Sequence, residues 1–182
     1  LQQHGHEVAF WQLCEDIEPL PDAARVAEKL ADEQPDLIGF SVVTNQWQLT
    51  AQVAEWCRKV SAAPLVCGGI HATVAGEEVL KSGLFDYIMT GECEGAFLEF
   101  VQRLEQGEDV RGVSNLGYLA DGQVVLNPVR PLPPLTKLPL KDYAIFDFQR
   151  IIDAKRGWVG LMASRGCPFN CTYCFNHLMV KK

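Results

Sequence analysis

Three cysteines lie within eight positions near the end of the chain, in the stretch RGCPFNCTYCF (165–175). A disulfide between any two of Cys167, Cys171 and Cys174 would leave the third thiol over. Three thiolates on one short loop suit a cubane iron–sulfur cluster, whose fourth iron keeps an open coordination position. A structural zinc site is the alternative, with His177 closing a Cys3His set. The spacing therefore predicts a metal centre, and an iron–sulfur cluster is its favoured form.

The residues around these cysteines are of the types that such a cluster needs. Gly166 and Pro168 shape the turn, and Phe169, Tyr173 and Phe175 surround it with aromatic rings. Aromatic side chains exclude water from a cluster and so help to set its reduction potential. We therefore expect the cysteine loop to be partly shielded from solvent.

The remaining cysteines have a different pattern. Cys14, Cys57, Cys67 and Cys93 are scattered through periodic apolar segments, where a cysteine is typically a small buried hydrophobe. The total of seven is odd, and the first residues are too polar for a signal peptide. Both facts favour a reducing compartment and ligand roles over disulfides, which predicts a cytoplasmic protein.

The composition is that of a soluble globular protein. Apolar residues make up 48% of the 182 positions, and no run approaches the roughly 20 apolar residues of a membrane span. The net charge is −7, with acidic and basic residues interspersed. A protein that binds phosphate backbones normally has a basic face. The sequence therefore predicts no transmembrane segment and argues against nucleic acid as the main partner.

Strand-like and helix-like patterns alternate through the first 107 residues. Apolar runs typical of strands occupy 6–13, 35–43, 64–69 and 85–91, and helical spacing occupies 22–33, 46–62 and 94–106. The predicted helix faces carry Ala23, Val26, Ala27 and Leu30; Leu49, Val53, Trp56 and Val60; and Phe97, Val101 and Leu104. This alternation predicts the α/β class, a doubly wound parallel sheet of flavodoxin-like type. Residues 1–4 are typical of the last turn of a helix, so we expect the first strand to lie upstream, in a longer protein.

The alternation of strand-like and helix-like patterns stops after residue 107. The stretch NLGYLADGQVVLNP (115–128) predicts a hairpin around Asp121-Gly122, a pair suited to a type I′ turn. Prolines then crowd 128–139, which favours an extended linker. The apolar run WVGLMAS (158–164) is typical of a strand that leads into the cysteine loop. We predict three parts: a domain over 1–126, a linker over 127–157, and the start of a second domain over 158–182.

Small and polar residues follow three of the predicted strands. Ligands bind beyond the carboxyl ends of the strands in open parallel sheets, so these residues should line one ligand edge. They are Ser41 and Thr44, then Gly68, Gly69 and Thr73, then Glu92 and Glu94. Glycines let backbone approach a ligand closely, but they are equally typical of a tight turn. The glutamates are as consistent with stabilising the start of a helix as with binding.

The sequence CPFNCTYC resembles the cluster-binding loop of the radical S-adenosylmethionine enzymes. The resemblance implies that Cys167, Cys171 and Cys174 hold a 4Fe-4S cluster whose fourth iron binds S-adenosylmethionine. It places Tyr173 beside the adenine, and it implies the start of a TIM-type barrel. The family's other S-adenosylmethionine contacts would lie beyond residue 182, so we expect this fragment to be inactive alone.

The first domain resembles the cobalamin-binding domain that precedes the radical module in one large subgroup. The resemblance runs from about His4 to Asp147 and is carried by PDLIGFSVVTNQ, PLVCGGIHATVAGEEVL and FDYIMTGECEGAFLEF. The positions it implies for cobalamin are Ser41, Val43, Thr44, Gly68, Gly69, His71 and Thr73, and Gly91 and Glu92 complete the cofactor-binding set. For His71 we expect a hydrogen-bonding role rather than cobalt ligation.

Together the two resemblances imply an enzyme that transfers a methyl group to an unactivated carbon of a small-molecule, lipid or tetrapyrrole substrate. An electron donor such as a flavodoxin or ferredoxin would supply the reducing electron. Alternatives are oxidative cyclisation or rearrangement of a tetrapyrrole, and a methylthiotransferase acting on RNA with a second cluster on Cys14, Cys57 and Cys93. A non-catalytic cobalamin carrier is the alternative from another class. No catalytic residue is assigned from the sequence.

Overall fold

A computed structural model describes residues 1–131, 133–140, 142–161, 164–167, 169 and 171–174 of the chain. It divides into two compact units, one of residues 22–132 and the other of residues 1–21 with 133–182. Among the described residues, no helix is both long enough and apolar enough to cross a membrane.

The larger unit is built on one five-stranded sheet with helices between its first strands. In chain order its elements are α1 (Ala23–Glu33), β1 (Ile38–Ser41), α2 (Trp47–Val60), β2 (Leu65–Gly68), α3 (Gly69–Val74), α4 (Gly76–Lys81), β3 (Tyr87–Met89), α5 (Glu94–Glu105), β4 (Leu116–Ala120) and β5 (Gln123–Leu126). The strand order follows the chain order. β1, β2 and β3 are parallel, and β4 and β5 are antiparallel. The predicted α/β class is confirmed, with the predicted hairpin extending the same sheet.

Local sequence explains where the helices begin and end. The Asp22 carboxylate accepts a hydrogen bond from the Arg25 N–H at 2.9 Å and so caps α1. α1 ends at Glu33, and the C-cap residue Gln34 that follows has a left-handed φ of 45°. The tight turn between β4 and β5 has φ of 50° at Asp121 and 76° at Gly122, as a type I′ turn requires.

The two faces of the sheet are covered by different helices. On one face, Val66 and Met89 pack with Ala96 and Phe100 of α5 in a buried cluster. On the other, a Cβ at Gly76 would lie 2.5 Å from Cδ1 of Ile88, so the glycine lets α4 pack directly on that strand. Burial of both faces is what the doubly wound arrangement requires.

The buried face of α2 differs from the predicted one. Its buried residues are Thr50, Val53, Ala54 and Cys57. Only Val53 was predicted among them, and the predicted Val60 is 50% exposed. The packed face of this helix is formed mainly by small side chains. The prediction followed the large apolar residues instead, and it therefore placed the buried face about one residue away from the true one. In α5 the predicted Phe97, Val101 and Leu104 are half-buried around the fully buried Phe100.

The smaller unit packs the first residues of the chain against α6 (Phe148–Ala154). The Phe10 and Phe146 rings lie 5.1 Å apart, and Nη2 of Arg150 donates to the Ile17 carbonyl at 2.7 Å. Lys155 forms an ion pair with Asp16. The predicted strand at 6–13 is wrong: these residues are irregular, and Phe10 packs on an aromatic ring instead of pairing with a strand.

Two further expectations for residues after 126 differ from the structure. The predicted linker, 127–157, contains α6, which lies beyond the proline-rich stretch. Residues 158–161 and 164 of the predicted strand at 158–164 are not in a strand, and Trp158 and Leu161 are 82% and 88% exposed. A strand needs a neighbouring strand to pair with its backbone hydrogen-bonding groups. The described residues of this unit contain no such neighbouring strand. Met162 and Ala163 of that run lie outside the described residues. The domain boundaries predicted from the sequence stay a prediction.

Candidate functional site

The carboxyl ends of β1, β2 and β3 meet at one edge of the sheet. Ser41 pairs with Gly68, and Cys67 pairs with Ile88, so neighbouring strands end nearly level. Three segments follow these ends. We call residues 42–46 the first loop, the Gly68–Gly69 junction with α3 the second segment, and residues 90–93 the third loop. Most of the predicted cofactor-binding residues lie here, which is the edge where open α/β sheets bind ligands.

The first loop and the second segment are in backbone contact. The Val42 N–H donates to the Gly68 carbonyl, and the His71 N–H donates to the Val42 carbonyl, each at 3.0 Å. A Cβ at Gly69 would lie 2.7 Å from both the nitrogen and the oxygen of Val42, and the φ of Gly69 is +86°. Gly69 is therefore required here for a close approach to the Val42 backbone, which Gly68 does not make. The close approach of both glycines to a ligand stays a prediction.

His71 lies in α3 rather than in a loop, and it is 3% exposed. Its Nδ1 lies 3.3 Å from Oγ1 of Thr44, and its ring lies 4.7 Å from the ring of Trp47. Its Nε2 is buried and has no hydrogen-bond partner among the residues that the structure describes. A buried polar atom without a partner is costly, so Nε2 is a natural hydrogen-bonding position for a bound ligand. Either contact, a hydrogen bond to a ligand or cobalt ligation, requires this buried atom to become accessible.

The second segment is joined to the third loop through Thr73. Its hydroxyl donates to the Gly69 carbonyl at 3.0 Å and accepts from the Gly91 N–H at 2.9 Å. Gly91 has a φ of +68°, and a Cβ there would lie 3.2 Å from Cγ1 of Val129. The side chain of Thr73 is thus engaged within the protein, and its contribution to the edge is to hold two segments in register.

The other predicted binding residues differ in exposure. Ser41, Val43 and Thr44 are exposed, whereas Gly68 and Glu92 are half-buried. Glu94 is the exposed first residue of α5. The exposed hydroxyls, the glycine backbone and the buried nitrogen of His71 offer hydrogen-bonding groups for the polar periphery of a corrinoid, so the residues present fit that group.

Sequence reasoning missed Asn115, which is fully buried beside the third loop. Its Nδ2 donates to the Thr90 carbonyl at 2.8 Å, and its φ is +65°. It lies 25 positions from Thr90 in the sequence. An Asn directly before a strand is a weak signal, and nothing in the local pattern indicates which distant loop it contacts.

Burial makes the cysteines of the larger unit poor thiolates. It raises the pKa of the Cys57 thiol and the Cys93 thiol to about 11 and that of Cys67 to about 12. Cys57 and Cys67 are 3% and 0% exposed, which agrees with the prediction that they are small buried hydrophobes. Cys14 and Cys93 are only half-buried. Without a bound metal these thiols are therefore protonated at neutral pH.

The predicted cluster loop lies in the smaller unit. Cys167 and Cys174 are half-buried and Cys171 is exposed, and the Cys174 N–H donates to the Cys171 carbonyl at 3.1 Å in a tight turn. Across the described residues, no three His, Cys, Asp or Glu side chains are grouped as metal ligands would be. The chemistry of three thiols fits a cluster with an open iron, and their gathering around it stays a prediction. Tyr173 is 91% exposed and Phe169 is 71% exposed, so the expected aromatic shield is not formed by these two. Pro168, Phe175 and His177 lie outside the described residues.

An open, mostly parallel sheet with polar loops along one edge defines an α/β ligand-binding domain. The chain matches the family model described as B12 binding domain over residues 1–101, and it belongs to that family. The resemblance to cobalamin-binding radical S-adenosylmethionine enzymes is thereby confirmed for the first domain.

Two curated relatives cover most of the chain. An uncharacterized methyltransferase from Pyrococcus horikoshii is 29% identical over 173 residues, which are 93% of this chain and 37% of the relative. An anaerobic magnesium-protoporphyrin IX monomethyl ester cyclase from Rubrivivax gelatinosus is 32% identical over 161 residues, 82% of this chain and 28% of that protein. The chain therefore spans about a third of the length of these relatives.

Solved structures show the same fold. The cobalamin-dependent S-adenosylmethionine radical enzyme OxsB, with aqua-cobalamin and S-adenosylmethionine bound, matches with a TM-score of 0.71 at 22% identity, over 84% of this chain and 22% of that chain. The radical S-adenosylmethionine methyltransferase TsrM from Kitasatospora setae, with cobalamin and a [4Fe-4S] cluster bound, matches with a TM-score of 0.55 at 20% identity, over 62% of this chain and 22% of that chain.

Proposed function

We propose that the chain is part of a radical S-adenosylmethionine enzyme that uses cobalamin and a 4Fe-4S cluster to transfer a methyl group to an unactivated carbon. The observation that carries this proposal is the presence, in one chain, of a B12 binding domain and a CxxxCxxC loop after it. A cobalamin carrier would need the first feature only. The cysteine loop adds ligands for the cluster that radical chemistry needs.

The corrinoid would lie at the strand-end edge of the larger unit. Ser41 and Thr44 are exposed there and offer it hydroxyl groups, beside the backbone of Gly68 and Gly69. Nε2 of His71 would offer a further hydrogen bond once binding makes it accessible. The contact of Gly69 with Val42 keeps the first loop and the second segment at a fixed separation. A rigid edge binds a large planar ligand without a further ordering cost, which favours affinity.

Cys167, Cys171 and Cys174 would hold the cluster, and Tyr173 would lie beside S-adenosylmethionine on the same loop. When bound, the cluster and S-adenosylmethionine supply a one-electron route to a substrate radical, and methylcobalamin supplies the methyl group. The chain's own residues bind and orient these groups. The strong exposure of Tyr173 in the described structure leaves its ring accessible to an adenine.

Oxidative ring closure of a tetrapyrrole is a second candidate, because three of the relatives are named as anaerobic cyclases, at 26–32% identity. The two reactions differ in the fate of one carbon. With S-adenosylmethionine labelled in its methyl group, a methyltransferase places the label in the product. A cyclase forms an unlabelled product.

The RNA-modifying alternative needs a second cluster on cysteines of the first domain. Cys57 is buried within α2 and Cys93 directly precedes α5, so these cysteines lie on different elements, which opposes a shared cluster. Iron content separates the alternatives: about four irons per chain for one cluster and about eight for two. The proposal also includes an electron donor of flavodoxin or ferredoxin type. The substrate would be a small molecule, a lipid or a tetrapyrrole, and the location would be the cytoplasm.

The decisive test is the visible spectrum of the protein purified without oxygen and reconstituted with cobalamin, iron and sulfide. We expect corrin bands together with the broad absorption of an iron–sulfur cluster. A colourless protein after reconstitution would contradict the whole proposal. If zinc were bound to the three thiolates instead, the cobalamin part of the proposal would stand and the radical part would fail.

A further inference from the structure

Asn115 connects the third loop to the start of the proline-rich segment. We propose that Asn115 is a positioning residue of the cobalamin site: through its side-chain amide it sets the position of residues 90–92 along the ligand edge. This inference rests on the proposed cobalamin-binding function. Asn115 itself touches no ligand, because it is fully buried.

One side of Asn115 faces the third loop. Its Nδ2 donates to the Thr90 carbonyl at 2.8 Å and to the Glu92 carbonyl at 3.4 Å. Its own carbonyl accepts from the Thr90 N–H at 2.9 Å and from Oγ1 of Thr90 at 3.2 Å. A single residue therefore fixes the backbone on both sides of Gly91, whose left-handed φ shapes the loop.

The other side of Asn115 faces the chain that leaves the hairpin. Its Oδ1 accepts from the Arg130 N–H, and its N–H donates to the Pro128 carbonyl, each at 3.0 Å. The Arg130 guanidinium pairs with Glu99 of α5, which secures this segment from the far side. Both polar atoms of the amide are used, which also fixes which of them is nitrogen and which is oxygen.

The effect of Asn115 extends to the second segment. The Gly91 N–H that follows Thr90 donates to the Thr73 hydroxyl, which in turn donates to the Gly69 carbonyl. Gly69 contacts Val42 in the first loop. A continuous path of hydrogen bonds and close contacts therefore joins a buried amide behind the edge to all three ligand-facing segments.

Aspartate is the substitution that isolates the amide nitrogen. It tolerates the left-handed backbone and keeps an oxygen for the Arg130 N–H. However, it turns a second carboxylate oxygen toward the carbonyls of Thr90 and Glu92, where Asn115 has its NH2 group. The repulsion should push the third loop away while the hairpin register is kept.

Asn127→Asp is the matched control. The Nδ2 of Asn127 also donates to two carbonyls, those of Arg111 and Val113, at 2.6 and 2.7 Å. Asn127 directly precedes Pro128, but its side chain braces residues 111–113 and has no bond to the third loop. The control therefore loses the same kind of interaction in the same region without losing a bond to residues 90–92.

The experiment titrates the wild-type chain, Asn115→Asp and Asn127→Asp with aquacobalamin and follows the visible spectrum. We expect Asn115→Asp to raise Kd roughly tenfold, the change that loss of one buried hydrogen bond gives, and Asn127→Asp to leave it within about twofold. Thermal unfolding should show a loss of stability in both. Hydrogen exchange should quicken at the Gly91 amide in Asn115→Asp only, which a general loss of stability would not produce.

Three other outcomes would decide between the inference and the proposed function. Equal Kd values for the three proteins would overturn the inference and leave the proposed function intact. If the wild-type chain does not bind aquacobalamin, the proposed function and the inference both fail. Should Asn115→Asp not fold, hydrogen exchange of the wild-type chain decides: cobalamin must raise the protection of the Gly91 and Arg130 amides together, and protection of neither or of Gly91 alone would overturn the inference.

Discussion

Gly69 and Gly83 have the same left-handed backbone in different surroundings. The φ of Gly69 is +86°, and a Cβ there would overlap the backbone of Val42; the φ of Gly83 is +72°, and nothing lies within 4 Å of its Cβ position. Alanine at Gly83 should cost only the left-handed penalty of about 1 kcal/mol. Alanine at Gly69 adds a backbone clash, so we expect a loss of more than about 3 kcal/mol in urea unfolding. Similar losses for the two variants would mean that the Gly69–Val42 contact is not close.

The buried thiol of Cys67 should make stability depend on pH in the alkaline range. Burial raises its pKa from 9.0 to about 12, so the folded chain keeps it protonated where the unfolded chain has begun to ionise it. Its contribution is fully present below about pH 9 and is lost as the pH rises towards 12. Between pH 9 and 10.5 the unfolding free energy of the wild type should fall more steeply than that of Cys67→Ala, by up to about 1.4 kcal/mol per pH unit. Parallel curves would contradict the burial of this thiol.

At the residue scale, the sequence indicates which residue types follow the strands but not which contacts they make. The glycine pair, the hydroxyls and His71 were assigned to the ligand edge because their types and their place after strands are local signals, and their binding role stays a prediction. Gly69 is the residue of the pair that must be glycine, because a Cβ there would overlap Val42, which lies 27 positions earlier in the chain. Asn115 depends on Thr90 in the same way. Contacts between distant loops exist only after the sheet has formed, so no local pattern contains them.

Among the elements, the hairpin from β4 to β5 was predicted from two strand-like runs around the turn pair Asp121-Gly122. Both turn residues have positive φ, which asparagine and glycine tolerate and alanine does not. We expect Gly122→Ala to lower the unfolding free energy by about 1 kcal/mol and Asp121→Asn to change it by less than about 0.5 kcal/mol. The measurement is urea unfolding of both variants. An unaffected Gly122→Ala would show that the turn is not of type I′.

Strand predictions succeeded where a neighbour strand exists and failed where it does not. The runs that became β1, β2 and β3 have pairing partners, whereas 6–13 has the same apolar pattern and lies in a unit whose described residues contain no strand. α3 and α4 were missed because a glycine pair and a further glycine interrupt the helical pattern. Those glycines are kept by packing: Gly69 approaches Val42, and Gly76 approaches Ile88.

For the whole molecule, the proposed function requires two cofactor sites in separate compact units. The corrinoid edge lies in residues 22–132, and the cysteine loop lies in the unit that contains 133–182. A substitution that disables one site should therefore leave the other intact. This separation can be tested with one variant in each unit, measured in the same reconstituted protein.

Cys171→Ala should abolish the iron–sulfur absorption and leave the corrin bands, because it removes one of three thiolates and lies in the other unit. Gly69→Ala should do the reverse, since it separates the first loop from the second segment and leaves the cysteines unchanged. Bound iron should fall from about four atoms per chain towards zero in the first variant only. If Cys171→Ala kept its iron, the cysteine loop would not be the cluster site. If it also lost the corrin bands, the two sites would depend on each other, and their assignment to separate units would fail.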